Sequence, residues 1–226
     1  MSLAALRADW SACTRCRLAE GRRSVVYGEP YQAAPGEGDP LVLVIGEAPG
    51  EREDQSGRPF VGPAGEVLRG LLREAGCRFA FITNLLACRP PGNRDPRADE
   101  IEACRPRLLA LIEALAPAGV LLVGRVAEGQ REALALGARP VAAVVHPAWL
   151  LRKGYPGKAT EATWRLQVGR LRRLLAQAGA PEVPPPSDAA ACRHRYVEAG
   201  AWVGERGRRP LRLCAECGLL EAACAR

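Results

Sequence analysis

Two rhythms of apolar and polar positions run along this chain. Short continuous apolar runs at 41–45, 79–86, 120–123 and 141–145 predict strands buried on both faces. Between them apolar residues recur at helical spacing. In 63–75, Ala64, Val67, Leu68, Leu71 and Leu72 share one face. Segment 97–115 places acids early (Asp99, Glu100, Glu102) and arginines later (Arg105, Arg107), as the helix dipole favours. Segments 4–10, 126–136 and 161–178 complete the predicted helices, and the Gly- and Pro-rich stretch 28–40 reads as a loop. Strands alternating with helices predict a three-layer α/β/α fold around a central, mostly parallel, four-stranded sheet. Ligands of such sheets bind beyond the carboxyl ends of the strands. Glu47, Asn84, Gly124 and His146 each sit at or just past a predicted strand end, so they should share one rim.

The proline-rich stretch PEVPPPSD at 181–188 reads as a stiff linker. It divides a main domain, 1–180, from a small module, 189–226. An apolar fraction of 48% allows a sizeable core. No apolar run approaches the roughly 18 residues of a membrane span, and no secretory pattern opens the chain. A cytoplasmic, nucleoid-associated, monomeric protein with no membrane partner is expected. The net charge is +7, carried almost wholly by arginine, since Lys153 and Lys158 are the only lysines. Arginine's planar fork suits phosphates and base edges, which points to nucleic acid. A general arginine bias of the source genome explains the composition equally well.

Nine cysteines without a secretory signal argue for metal ligands or buried thiols rather than disulfides. Cys13 and Cys16 form a C-x2-C pair, and Cys88 and Cys104 lie far downstream. Four such thiolates suit either an iron–sulfur cluster or a structural zinc. In the tail, Cys192, His194, Cys214 and Cys217 can make a closed zinc set, with Cys224 as an alternative ligand; the competing reading is a disordered tail with stray thiols. A short arginine-rich tail has little core of its own. Cys77, alone near a helix end, reads as simply buried.

The strand-end residues carry the chemistry. The turn Gly46-Glu47-Ala48-Pro49-Gly50 is acidic and lacks the G-x-G-x-x-G phosphate fingerprint. A carboxylate there can stabilise positive charge developing on a sugar or orient a water; alone, GEAPG is an ordinary acidic turn. Phe60 lies in a loop between glycines, where it can stack on an extruded base or anchor its own loop. Asn84 can accept from N3–H of uracil and donate to O4, a pattern cytosine reverses; most such amides instead serve local backbone. His146 can donate to uracil O2 as the base departs, although a lone histidine is often a core residue. Leu150 can act as an apolar wedge in the gap left by a flipped base.

Three blocks, GEAPGEREDQSGRPFVGPAG, TNLLACRPPGNRDPRADEIEAC and HPAWLLR, resemble the signature blocks of family 4 uracil-DNA glycosylases. The likeness covers about residues 1 to 178. It implies a glycosylase fold and a monofunctional DNA N-glycosylase, a hydrolase that flips uracil from DNA and starts base excision repair. It implies a [4Fe–4S] cluster on Cys13, Cys16, Cys88 and Cys104, structural rather than redox-active. It places Gly46, Glu47 and Ala48 in the catalytic turn, Phe60 under the base, Asn84 on its edge and His146 in the His-Pro motif. Glu53 should lie near the pocket and stand in for a missing tyrosine that excludes thymine. Asn93 should orient Glu47. Ala48 and Gly50 replace the Asp and Tyr of many other uracil glycosylases, the 124–146 segment is short, and the tail lies outside the family pattern. That tail is expected to contact DNA or a repair or replication protein. The competing expectations are a non-catalytic DNA-binding module and a glycosylase for hypoxanthine or xanthine.

Overall fold

A computed structural model describes residues 2–31 and 38–180, and the backbone of 196–204 and 207–214. Helix α1 (Leu3–Ser11) leads past the first cysteine pair to a two-residue strand, β1 (Glu29–Pro30). Then come β2 (Val42–Gly46), α2 (Glu51–Ser56), α3 (Pro63–Ala75), β3 (Ala80–Asn84) and α4 (Ala98–Leu115). β4 (Gly119–Val123), α5 (Arg125–Glu128), β5 (Val141–Val144), α6 (Pro147–Arg152) and α7 (Lys158–Gln177) follow.

The sheet order is β1-β3-β2-β4-β5, parallel except for β1. The expected four strands are therefore present, and the correction is a fifth at the edge. β1 is too short to leave a hydrophobic signature. Glu29 holds it by accepting hydrogen bonds from Arg58 and Arg69.

Alternation along β2 shows why helices cover both faces. Val42 and Val44 pack into one core with residues of α3, α6 and α7. Leu43 and Ile45 pack into the other with α1 and α4. All five residues of β2, β3 and β4 are buried, and each large apolar side chain so placed contributes about 1.5–3 kcal/mol. α3 starts with Pro63 in its first turn and stops at Gly76, whose φ of 82° ends it in the left-handed conformation. α4 is capped by Glu100, whose Oε2 accepts from the Arg97 amide.

The helix expected over 126–136 is instead α5 followed by a short 3-10 turn, Glu132–Leu134. Gly129 interrupts the pattern, and few side chains there are buried. In the tail, β6 (Tyr196–Gly204) and β7 (Gly207–Cys214) pair as an antiparallel hairpin. The linker, Cys192, His194 and Cys217 lie outside the described residues, and Cys214 is described for its backbone alone. Among the described residues, no helix is long and apolar enough to cross a membrane.

Candidate active site

The carboxyl ends of β2, β3, β4 and β5 open into one large cavity. Glu47, Ala48, Glu53, Phe60, Asn84, Asn93, Gly124 and His146 all line it. The rim foreseen from strand ends is thus a single site. Its empty space, open to solvent, is about 1930 Å³, enough for a nucleotide.

Asn84 ends β3 and is only 2% exposed. Its Oδ1 is buried and accepts no hydrogen bond among the described residues. Leaving such an oxygen unpaired costs about 1–3 kcal/mol, so a ligand donor is the natural partner. Gly46, opposite on β2, makes room: a Cβ there would lie 2.3 Å from this oxygen and 2.5 Å from the Phe60 ring. Only glycine lets the amide and the ring meet at the floor of the cavity.

Phe60 is buried and has φ of 51°, a conformation that costs a bulky residue energy. Its loop is held by Glu53, the N3 residue of α2. One Glu53 oxygen accepts from the Val61 and Gly62 amides at 2.9 Å each, and the other from Gly50 at 3.1 Å. Glu53 therefore fastens the Gly46–Gly50 turn to the Phe60 loop, and it lines the cavity as expected.

His146 caps α6: its Nδ1 accepts from the Ala148 amide at 3.2 Å. The ring proton of the neutral form therefore resides on Nε2. Burial, reinforced by the Arg152 charge, lowers the imidazole pKa to about 4, so it is neutral at pH 7. Its ring centroid lies 6.2 Å from that of Phe60. Gly124, with φ of 92°, backs it closely, since a Cβ there would lie 3.1 Å from that of His146.

Glu47 is held above the usual carboxylate range, first by burial and then by the Asp95 charge across the cavity. Among the described residues no hydrogen bond joins Asn93 to Glu47; the Asn93 amide oxygen accepts from Arg89 Nε at 2.8 Å. That expectation is corrected. So is the wedge: Leu150 is 2% exposed and belongs to the core with α3 and α7. The exposed apolar side chain of α6 is Trp149, 39% exposed, on the cavity wall. Lys153 stands 6.0 Å above its ring. Arg125, Arg152 and Arg170 line the same wall and give it positive charge.

Trp149, Asp95 and Arg152 escaped the sequence reading. The indole in HPAWLLR was visible, but its exposure depends on which face of α6 packs inward.

A second, small apolar cavity lies between the N-terminal segment, the loop at Ala87 and Cys88, and α4. All four predicted ligands, Cys13, Cys16, Cys88 and Cys104, line it, with Arg15, Arg22 and Arg107. Burial pushes the Cys88 thiol up to about 11 and raises that of Cys16. Among the described residues, no three His, Cys, Asp or Glu side chains converge tightly enough for one metal ion. Ala48 of the Gly46–Gly50 turn packs on the cluster of Leu18, Leu86, Cys88 and Ile101. Cys77 is buried and its thiol donates to the Phe79 carbonyl, as befits an inert residue.

Fold and site together define a doubly wound α/β protein with an open pocket at its strand ends. Residues 35–166 match the model of the uracil DNA glycosylase superfamily, and the chain belongs to that family. It is 40% identical over 156 residues to a Type-4 uracil-DNA glycosylase of Thermotoga maritima, covering 62% of this chain and 78% of that one. It is 42% identical over 127 residues to a Type-4 uracil-DNA glycosylase of Sulfurisphaera tokodaii, 55% of each chain. A third such protein, from Saccharolobus solfataricus, is 45% identical over 116 residues, 50% of this chain and 51% of its own. The chain thus spans about half the length of two of these relatives.

Proposed function

We propose that this protein is a uracil-DNA glycosylase that extrudes uracil from DNA and hydrolyses its N-glycosidic bond. The observation that carries the reading is the unpaired, buried Oδ1 of Asn84, beside the Phe60 ring and a neutral His146. Uracil N3–H donates to that oxygen, while the amide nitrogen of Asn84 donates to O4. Cytosine offers a bare N3 and a donor at C4, so both contacts become repulsive. Extrusion costs a few kcal/mol. Stacking on Phe60, about 1–3 kcal/mol, offsets much of it.

The C1′–N1 bond then breaks, with its electron pair leaving on uracil. His146 Nε2–H donates to the developing charge at O2, and Glu47 faces the cationic sugar. Water adds to C1′ and its proton passes to the Glu47 carboxylate or to solvent. Trp149, exposed on the wall, fills the gap in the base stack in place of Leu150, and the wall arginines meet the phosphates.

The four cysteines, in an apolar cavity flanked by three arginines, suit an anionic [4Fe–4S] cluster. When bound, it supplies a rigid crosslink between the N-terminal segment and the loops around Cys88 and Cys104. The tail set, Cys192, His194, Cys214 and Cys217, is proposed as a separate structural zinc site that adds contact to DNA or to a protein partner.

The test is a glycosylase assay on anaerobically purified protein. Labelled oligonucleotides carry U·G, U·A, single-stranded U, T·G or hypoxanthine, and alkali then cleaves abasic sites. Cleavage confined to uracil is expected. Tight binding with no cleavage would replace this reading with a DNA-binding module. Cleavage at hypoxanthine alone would assign a different base to the pocket.

A further inference from the structure

Arg107 is the largest wholly buried side chain among the described residues, at 0% exposure. A guanidinium stays charged at any ordinary pH, and burying one without a counter-charge is strongly unfavourable. Yet Arg107 makes no ion pair among the described residues. Its neighbours are neutral acceptors. Nη2 donates to the carbonyls of Asn84, at 2.6 Å, and Leu85, at 3.2 Å. Nη1 donates to the Tyr27 carbonyl and to Thr83 Oγ1. Nε is buried with no hydrogen-bond partner among the described residues.

The same side chain lines the thiol cavity. A cluster bound by four thiolates is anionic, so the missing counter-charge and the unpaired Nε belong together. The other end of the fork holds the residue that reads the base. Beyond Asn84, the Leu85 amide donates to the Gly46 carbonyl and the Leu86 amide to that of Glu47. One buried cation thus touches the thiol cavity and the backbone of the base-reading strand end, and that segment is in turn bonded to the catalytic turn.

We propose that Arg107 is the buried counter-charge of the cluster on Cys13, Cys16, Cys88 and Cys104, and that its fork ties the cluster to the position of Asn84. Arg107 is a positioning residue, since it touches neither base nor sugar. The inference rests on the cluster reading above and not on the glycosylase activity. It gives the cluster a specific task, fixing the end of β3, beyond general stability. The arginine fork is needed because it serves several carbonyls at once, which a single ammonium does with poorer geometry.

The experiment compares anaerobically purified wild type, Arg107→Met and Arg107→Lys by three readouts that need no turnover. These are iron content, the rate at which a chelator bleaches the visible cluster absorbance, and amide hydrogen exchange at Leu85 and Leu86. In Arg107→Met, bleaching should be about tenfold faster or more. Exchange at those two amides should accelerate by a similar factor while β4 is unchanged. Arg107→Lys should restore cluster retention to within about threefold of wild type but leave the exchange accelerated. Wild-type bleaching in Arg107→Met would remove the counter-charge role. Wild-type exchange in Arg107→Lys would remove the fork. If Arg107→Met does not fold, Arg107→Lys decides alone, since bleaching tenfold faster or unchanged exchange each overturns the proposal. Wild-type protein without iron would overturn the cluster reading and this inference together, leaving the glycosylase reading to its own assay.

Discussion

His146→Ala is the sharpest perturbation of the proposed chemistry. The ring is neutral because burial lowers its pKa to about 4, and its Nδ1 already accepts from Ala148. Only Nε2–H is left to donate to the leaving base. Loss of one donor to a developing oxyanion costs about 2.7–4 kcal/mol, a hundred- to thousand-fold in kcat. The substitution also removes the α6 cap, worth about 1 kcal/mol of stability, so a melting curve must confirm that the variant is folded. Single-turnover kinetics on a U·G duplex should then show the kcat loss with the Kd for DNA within about threefold of wild type. The pH profile supplies an independent check. A neutral donor gives no rise in rate as pH falls from 7 to 5, and the acid limb reflects protonation of Glu47, which occurs above its ordinary range. A kcat within threefold of wild type, or a rate that climbs on acidification toward an imidazolium, would refute the reasoning. Stability follows the same ionisation. Below pH 6.5 the unfolded chain takes up a proton that folded His146 refuses until about pH 4. Stability should decline through that window, by up to about 3 kcal/mol, and His146→Ala should lose this dependence.

Three further outcomes are expected. Asn84→Asp replaces the amide donor with a second acceptor, so uracil excision should fall at least about a hundredfold while weak cleavage at cytosine emerges; a variant that keeps wild-type uracil kinetics would show that Asn84 does not read the base. Glu53→Ala strips the acceptor from three backbone amides, and at about 1.5–3 kcal/mol for a bond to a charged group it should lower stability by a few kcal/mol in denaturant titration. Leu150→Ala and Trp149→Ala should separate core from DNA contact: the first should cost about 2–5 kcal/mol of stability with near-normal turnover per folded molecule, the second should leave stability unchanged and weaken DNA binding. The reverse pattern in fluorescence binding and melting curves would return the wedge to Leu150.

Much of this arrangement is legible in the chain because parallel strands announce themselves. The runs in β2, β3, β4 and β5 are apolar because the sheet is covered on both faces, and the residues just beyond them had to share a rim. That reasoning placed Glu47, Asn84 and His146 together without side-chain coordinates. The misses have physical causes. β1, α2 and α6 are too short for a periodicity, and β1 is held by an ion-pair network rather than by apolar burial. Which of two adjacent residues, Trp149 or Leu150, turns inward depends on a helix whose existence was not foreseen. Glu53 and Asn93 lie in the right neighbourhood, but only geometry reveals that their oxygens are taken by backbone amides and Arg89. Arg107 reads from the sequence only as complementing the dipole of α4, and nothing in its spacing announces complete burial.

The central claim is that uracil sits on Phe60 with its edge on Asn84 and its O2 on His146. A crystal structure of the protein with the excised base bound measures this directly. The account predicts uracil N3 within hydrogen-bond distance of Asn84 Oδ1, and O2 within that distance of His146 Nε2. Uracil bound with its Watson–Crick edge toward solvent, or away from both side chains, would contradict it.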